Sequence, residues 1–269
     1  MKDIEKRGIS TRTIQTSRGP VELPVFCYDG SGVAAFFVCD YVRAAQKLEG
    51  TGLYPIEFSK RKALALLGLF EYRASSLGPY NEGFLMIAVS PQPKMSFLAK
   101  SFQVFLNAKY RKLGFYTLDL PISEELPLVA GREIWGAPKF LADISLYFSN
   151  DRFTGEVLSN RNEEKILSLE SSFNKGMPFK FFDSMVYSNF QDSILKIISN
   201  FNCPARIFKD KEARLKVGPI DHPMAHNLRD LGLDGETPFL LQSADKIKFV
   251  LNDGIRVMTH TSPPLPYGD

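Results

Sequence analysis

The stretch Gly131-Arg132-Glu133-Ile134-Trp135-Gly136-Ala137-Pro138-Lys139-Phe140-Leu141, continuing through Ala142 to Phe148, decides how this chain is read. A helical turn closes on Arg132-Glu133, a Gly-Ala-Pro bend follows, and a strand opens on a lysine. From there the pattern has a period of two. Phe140, Ala142, Ile144, Leu146 and Phe148 fall on one face; Lys139, Leu141, Asp143, Ser145 and Tyr147 fall on the other. The second face is too apolar for plain solvent surface and too polar for plain core. That is the composition expected where a strand lines a small-molecule cavity.

Outward from this segment, turn signals such as Asp29-Gly30, Gly78-Pro79 and Gly218-Pro219 separate short runs rich in Phe, Tyr, Val and Ile. The spacing predicts strands over 25–28, 33–38, 64–72, 84–90, 115–120, 140–148, 154–159 and 166–173. Helical periodicity is sparse: 41–48 with Asp40 as cap and Gly50 as stop, 97–113, a turn from Ser123-Glu124-Glu125 toward Arg132, 193–200 and 224–231. The fold class is therefore mainly β, or α+β with a few peripheral helices. No repeat or linker divides residues 1–261, read as one domain, and 262–269, with three prolines, reads as an extended tail.

Composition bounds the partners. The chain has 269 residues, 44% hydrophobic and 23% charged, enough for a self-sufficient core. Lys plus Arg number 33 against 30 Asp plus Glu, and no basic stripe interleaves with aromatics, so nucleic acid is not an expected partner. The longest apolar run, 63–70, is far below the ~18 residues of a membrane-spanning helix. The charged N-terminus lacks the apolar stretch of a secretory signal, and three cysteines (Cys27, Cys39, Cys203) make no even framework or CxxC pair. These features lead us to expect a cytoplasmic protein.

Three signals invite a functional reading that their context does not support. Gly30-Ser31-Gly32-Val33-Ala34-Ala35 matches a dinucleotide-binding string, but it leads into a strand-like run, so a hairpin turn is expected there. His222 and His226 have metal-pair spacing, but Pro223 intervenes and no third ligand cluster accompanies them. They read as loop and helix-start residues, and no metal is expected. The aromatics Phe179, Phe181, Phe182, Tyr187 and Phe190 read as core or interface rather than a pocket.

The quoted segment resembles the active-site motif of the acetoacetate decarboxylase family, in which G-R-E, a short bend and P-K present a lysine that forms a Schiff base with a keto acid. Arg18-Gly19-Pro20 is similar to the family's N-terminal R-G-P, and Leu77-Gly78-Pro79-Tyr80-Asn81-Glu82 to its L-G-x-Y-x-E stretch with the active-site glutamate. Leu195-Lys196-Ile197-Ile198 and Asp221-His222-Pro223-Met224-Ala225 resemble later segments. The resemblance implies a mixed sheet closed into a cone-like β-barrel, a homo-oligomer, and chemistry without metal or organic cofactor. It makes Lys139 the nucleophile and Glu82 the facing carboxylate, with Arg132, Glu133, Leu141 and Tyr80 as substrate-binding candidates. Arg132 and Glu133 could equally serve as a structural ion pair or at the helix end.

The chain departs from the decarboxylase pattern in three places. Phe140 stands where a second lysine follows the nucleophile, residues 21–29 contain no basic side chain, and Leu66-Leu67-Gly68 replaces a region bearing a second glutamate. A free lysine, with pKa about 10.4, is neutral in only about 0.04% of molecules at pH 7. A neighbouring cation, of which acetoacetate decarboxylase itself is the known instance, or burial must free the amine. With Phe140 in place, burial is the route expected here. The implied partner is a small keto acid, decarboxylated through an iminium and enamine. The same intermediates could serve aldol, dehydration or cyclisation chemistry, and a non-catalytic barrel that binds an apolar carboxylate or ketone is the remaining alternative.

Overall fold

The computed structural model describes residues 10–259 except 94, 96–102, 104–105, 174–175 and 182. The chain opens with a hairpin of β1 (Arg12–Thr16) and β2 (Gly19–Leu23), then enters the long strand β3 (Val25–Asp40) and helix α1 (Tyr41–Gln46). There follow β4 (Tyr54–Pro55), β5 (Lys62–Ser75), β6 (Tyr80–Ser90) and β7 (Gly114–Ile122). Helix α2 (Glu125–Trp135) leads into β8 (Lys139–Phe148), β9 (Arg152–Ser159) and β10 (Lys165–Ser172). Next come β11 (Met177–Lys180), β12 (Ser184–Phe190), β13 (Ser193–Phe201), β14 (Pro204–Phe208) and β15 (Arg214–Val217). Helix α3 (Pro223–Asp230), β16 (Leu240–Asp245), β17 (Phe249–Leu251) and β18 (Ile255–Thr259) complete the described residues.

Seven strands close a mixed barrel in the order β3-β5-β6-β7-β12-β13-β17 and back to β3; only the β7–β12 contact in this ring is parallel. The expected fold class is thus the observed one, with strands in 55% of the chain. Strand β7 changes partner along its length. Its start, at Phe115 and Tyr116, pairs with β12, whereas its end, from Leu120 to Ile122, pairs in parallel with β8. Beyond that fork β8, β9, β10 and β15 form an outer sheet. Its apolar face, including Phe140, Ala142, Ile144, Phe153 and Val157, shares a core with the outward side chains Leu67, Leu69, Leu85 and Ile87 of the barrel.

Several expectations change. Residues 193–200, read as helical, form β13: Ser193 to Phe201 pairs antiparallel with β12 across Gln191-Asp192, whose φ values of 46° and 57° make a tight two-residue turn. Isoleucines at 194, 197 and 198 suit either period, and the cross-strand partner decides. Gly30-Ser31-Gly32 is not a hairpin turn but the middle of the 16-residue strand β3, beside an irregularity in its pairing with β5. His222 caps α3 through Nδ1, which accepts from the Met224 N–H at 3.2 Å, and His226 lies on the helix rather than in a loop. Asp40 caps α1 as expected, accepting from Val42 and Arg43 N–H. Of the helix expected over 97–113, residues 97–102 and 104–105 lie outside the described residues, whereas 106–113 form a turn and irregular backbone rather than helix, Arg111 N–H returning to Asn107 O. Phe182 and the tail 262–269 also lie outside the described residues. Among the described residues, no helix is long and apolar enough to cross a membrane.

Candidate active site

The site is assembled at the fork. Helix α2 ends on Gly136, which takes the left-handed conformation (φ 62°) and returns its N–H to Arg132 O at 3.0 Å, while Ala137 N–H reaches Gly131 O at 3.0 Å. A side chain at Gly136 would also strike the Asn189 carbonyl, whose oxygen lies 1.9 Å from where a Cβ would stand, so the bend needs glycine twice over. The chain then turns straight into β8, and Arg132 Nε donates to Lys139 O at 2.8 Å, tying the helix end to the first residue of the strand.

Lys139 is thereby aimed into the barrel. It lies in register with Leu120, and its Nζ is 3.0 Å from Glu82 Oε2; both side chains are largely withdrawn from solvent. Gly131 makes this possible, because the lysine stem passes across the helix where a Cβ would stand 2.4 Å from its Cδ and Cε. Tyr80 presents its ring 6.0 Å from Nζ, near the outer limit of a cation–π contact. Tyr72, directly opposite Tyr80 on β5, meets it edge-on with ring centroids 4.8 Å apart. Burial first, and the Glu82 charge second, hold both phenols well above the usual tyrosine pKa, so their hydroxyls stay protonated. Among the described residues none hydrogen-bonds either hydroxyl.

The remaining candidates divide. Leu141 is half-buried beside the barrel interior, in one cluster with Tyr72, Tyr80 and Ile122. Arg132 reaches the backbone of Lys139. Glu133 does not approach the lysine: it is exposed and accepts from Ser17 N–H at 3.0 Å and Ser17 Oγ at 2.5 Å, pinning α2 to the β1–β2 hairpin. Asp143, Ser145 and Tyr147 continue the face of Lys139 but lie in solvent, Tyr147 at 65% exposure, so only the first turn of that face borders the interior. Phe140 points the opposite way, packing on His222 with ring centroids 4.8 Å apart. A lysine there would leave the strand on the far side from Glu82. Tyr72 does not stand out in the sequence; its one signal is its place in a predicted strand, because its position opposite Tyr80 depends on register.

With this geometry in view, comparison with known proteins gives a consistent answer. The profile of the acetoacetate decarboxylase family matches residues 12–180, more than half the chain. The chain belongs to the acetoacetate decarboxylase family. Among solved structures it is similar to acetoacetate decarboxylase from Legionella pneumophila, at TM-score 0.66 and 13% identity, with 89% of each chain covered. It is also similar to an acetoacetate decarboxylase-like enzyme from Sphingomonas wittichii RW1, at TM-score 0.63 and 13% identity, covering 89% of this chain and 95% of that one. A third relative in fold is the enduracididine biosynthesis enzyme MppR, complexed with the condensation product of pyruvate and imidazole 4-carboxaldehyde. There the TM-score is 0.59, the identity 11%, and the coverage 87% of this chain and 89% of that one. No curated protein sequence matches the chain. At these identities the solved structures establish the shared fold, and the family assignment marks the chain as related to enzymes.

Proposed function

We propose that this protein is a Schiff-base-forming lyase that decarboxylates a β-keto acid at Lys139. One observation carries the reading: an amine and a carboxylate meet at 3.0 Å on the inner wall of an otherwise apolar barrel. Glu82 takes a proton from the Lys139 ammonium, and the neutral amine nitrogen bonds to the substrate ketone carbon, with a proton passing from nitrogen to the former carbonyl oxygen. Glu82 gives its proton back to the carbinolamine hydroxyl, which leaves as water, and an iminium forms. The bond to the carboxylate carbon then breaks, its electron pair forms the enamine, and carbon dioxide departs. Glu82, reprotonated from solvent, delivers a proton to the enamine carbon, and water hydrolyses the resulting iminium to a ketone and free Lys139. General acid–base work of this kind requires hydrogen-bond reach, which the pair has. The Tyr72 and Tyr80 hydroxyls, protonated and unengaged by described residues, are donors for the substrate's oxygens.

The same enamine can attack a second carbonyl instead of taking a proton. The likeness in fold to MppR, whose structure holds a condensation product of pyruvate and an aldehyde, favours this as the second reading. Borohydride reduction in the presence of a β-keto acid tests the common step: a stable adduct on Lys139 is expected by peptide mass. An adduct on another lysine with Lys139 unmodified, or none with any keto compound, rejects the reading. Carbon dioxide release against aldehyde-dependent product formation separates decarboxylation from condensation.

A further inference from the structure

The barrel strands carry two unlike apolar faces. Their outward side chains Leu67, Leu69, Leu85 and Ile87 are fully sealed, at 0% exposure, under the outer sheet. The inward ones are sealed less evenly: Phe70 at 3%, Leu66 at 8% and Met86 at 9% are buried, whereas Phe36, Leu64 and Phe84 are only partly buried. Small barrels ordinarily fill their interior with side chains. Here the inner wall is itself apolar, and solvent reaches it toward the end marked by Phe36 and Val38.

Glycines shape that wall. Gly30, Gly32 and Gly68 stand directly opposite Tyr72, Phe70 and Phe84 in the strand register. The phenylalanine rings lie down over their glycine partners: a Cβ on Gly32 would fall 2.2 Å from the Phe70 ring, and one on Gly68 2.0 Å from the Phe84 ring. Both rings are flat against the strands and stacked with centroids 5.3 Å apart, instead of reaching across the barrel. The glycine string that imitates a nucleotide motif therefore serves to widen the lumen.

Polarity is confined to one end. Lys139, Glu82, Tyr72 and Tyr80 meet at one level. From Glu82 the inward positions of β6 are Phe84, Met86 and Ala88, those of β5 are Phe70, Gly68, Leu66 and Leu64, and those of β3 are Gly32, Ala34, Phe36 and Val38. None of these is charged. The six steps from Glu82 to Ala88 span about 20 Å at ~3.3 Å per residue, and the trough ends at Val38, which is 39% exposed.

We propose that this trough holds the apolar tail of the substrate, which is a β-keto acid bearing a medium-length acyl or aryl-alkyl chain rather than a methyl group. The inference rests on the Schiff-base reading, because a covalent bond to Lys139 Nζ fixes the carbonyl at the polar end and lays its substituent along the wall.

Two ligand series on the intact chain test this. One is the 3-oxo acids from 3-oxobutanoate to 3-oxodecanoate, scored by borohydride adduct on Lys139. The other is the saturated acids of the same lengths, scored by calorimetry. Affinity in both series is expected to rise about fourfold per added methylene until the trough is filled, with a heat-capacity change that grows more negative. Adducts on Lys139 whose yield is flat or falls with length would overturn the tail proposal and leave the Schiff base standing. Length-dependent binding of the saturated acids with no adduct from any 3-oxo acid would uphold the trough and remove the Schiff base. Length-independent binding without adducts would overturn both.

Discussion

Lys139 and Lys196 are equally buried, each 8% exposed, and project from strands of one sheet, yet they are held by different partners. Lys139 meets the Glu82 carboxylate at 3.0 Å inside the barrel. Lys196 donates to two backbone carbonyls, Lys109 O at 2.8 Å and Arg111 O at 2.7 Å, and its pKa is pushed down, first by burial and then by the Arg111 guanidinium. A depressed pKa is often taken as the sign of a nucleophilic lysine, and Lys196 shows that backbone-held burial can produce one as well. Lys196 has its amine locked against main-chain oxygens. Lys139 has a carboxylate that can take a proton and an apolar cluster beside it. The difference lies in the proton acceptor rather than in burial, which is the same for both.

The largest expected effect breaks the comparison outright. Lys139→Met should abolish borohydride trapping, whereas Lys196→Met should leave both the adduct on Lys139 and turnover unchanged. Trapping that survives the first change, or disappears with the second, reverses the assignment. Next in size is Glu82→Gln, expected to slow turnover by about two to four orders of magnitude, the range of general acid–base catalysis. The same change leaves the ammonium without its carboxylate, and breaking a buried pair costs on the order of 3 kcal/mol. Lys139→Met strands the carboxylate in the same way. The double variant Lys139→Met/Glu82→Gln removes both charges, so its melting temperature should lie above either single variant. Simple addition of the two single losses would show that the pair is not coupled.

Much of this arrangement is legible in the sequence because strand alternation and helix caps are local. The period of two from Phe140 to Phe148 gives the buried side of β8, where Phe140, Ala142 and Ile144 enter the core. Asp40 announces α1 and Gly136 the bend before Lys139. What cannot be read is what depends on a distant partner. Ser193 to Phe201 is a strand because β12 lies beside it, and its connecting turn, Gln191-Asp192, lacks the glycine that flags most tight hairpins. Gly30 and Gly32 resemble a turn until Tyr72 and Phe70 are placed opposite them. The face of Lys139 reads as cavity lining along its whole length, but β8 parts from the barrel strand β7 after Leu141, and alternation cannot say where a strand parts from its neighbour.

Gly131 sharpens the contrast at a smaller scale. The nearest atoms to an added Cβ are Cδ and Cε of Lys139, at 2.4 Å, the movable end of a long side chain rather than backbone. Gly131→Ala should therefore cost little stability, and the better helix propensity of alanine offsets about 1 kcal/mol. The amine, however, must shift away from Glu82. A displacement near 1 Å in a reacting group costs about a hundredfold, so we expect an unchanged melting temperature with adduct formation slowed by about that factor. Unaltered trapping in this variant would mean that the lysine reaches its partner by another path across the helix.

The smallest effect concerns His222, which like Lys196 sits where a positive charge is opposed by its surroundings. Burial, then the nearby Arg161 and His226, hold its pKa down to about 4, while its Nδ1 caps α3 and its ring backs Phe140. Above pH ~6.5, the ordinary histidine value, neither folded nor unfolded chain holds the proton, and the group is silent. As pH falls from there toward about 4 the unfolded chain takes up a proton that the folded chain refuses, so stability declines across that window and the loss is complete below it. Because the ring is only half-buried, solvent screening leaves an effect on the order of 1 kcal/mol. His222→Asn keeps a side chain that caps helices well and removes the titration. Its stability measured between pH 7 and pH 4 should lose that component of the acid slope, and a slope identical to the parent's would place the acid sensitivity elsewhere.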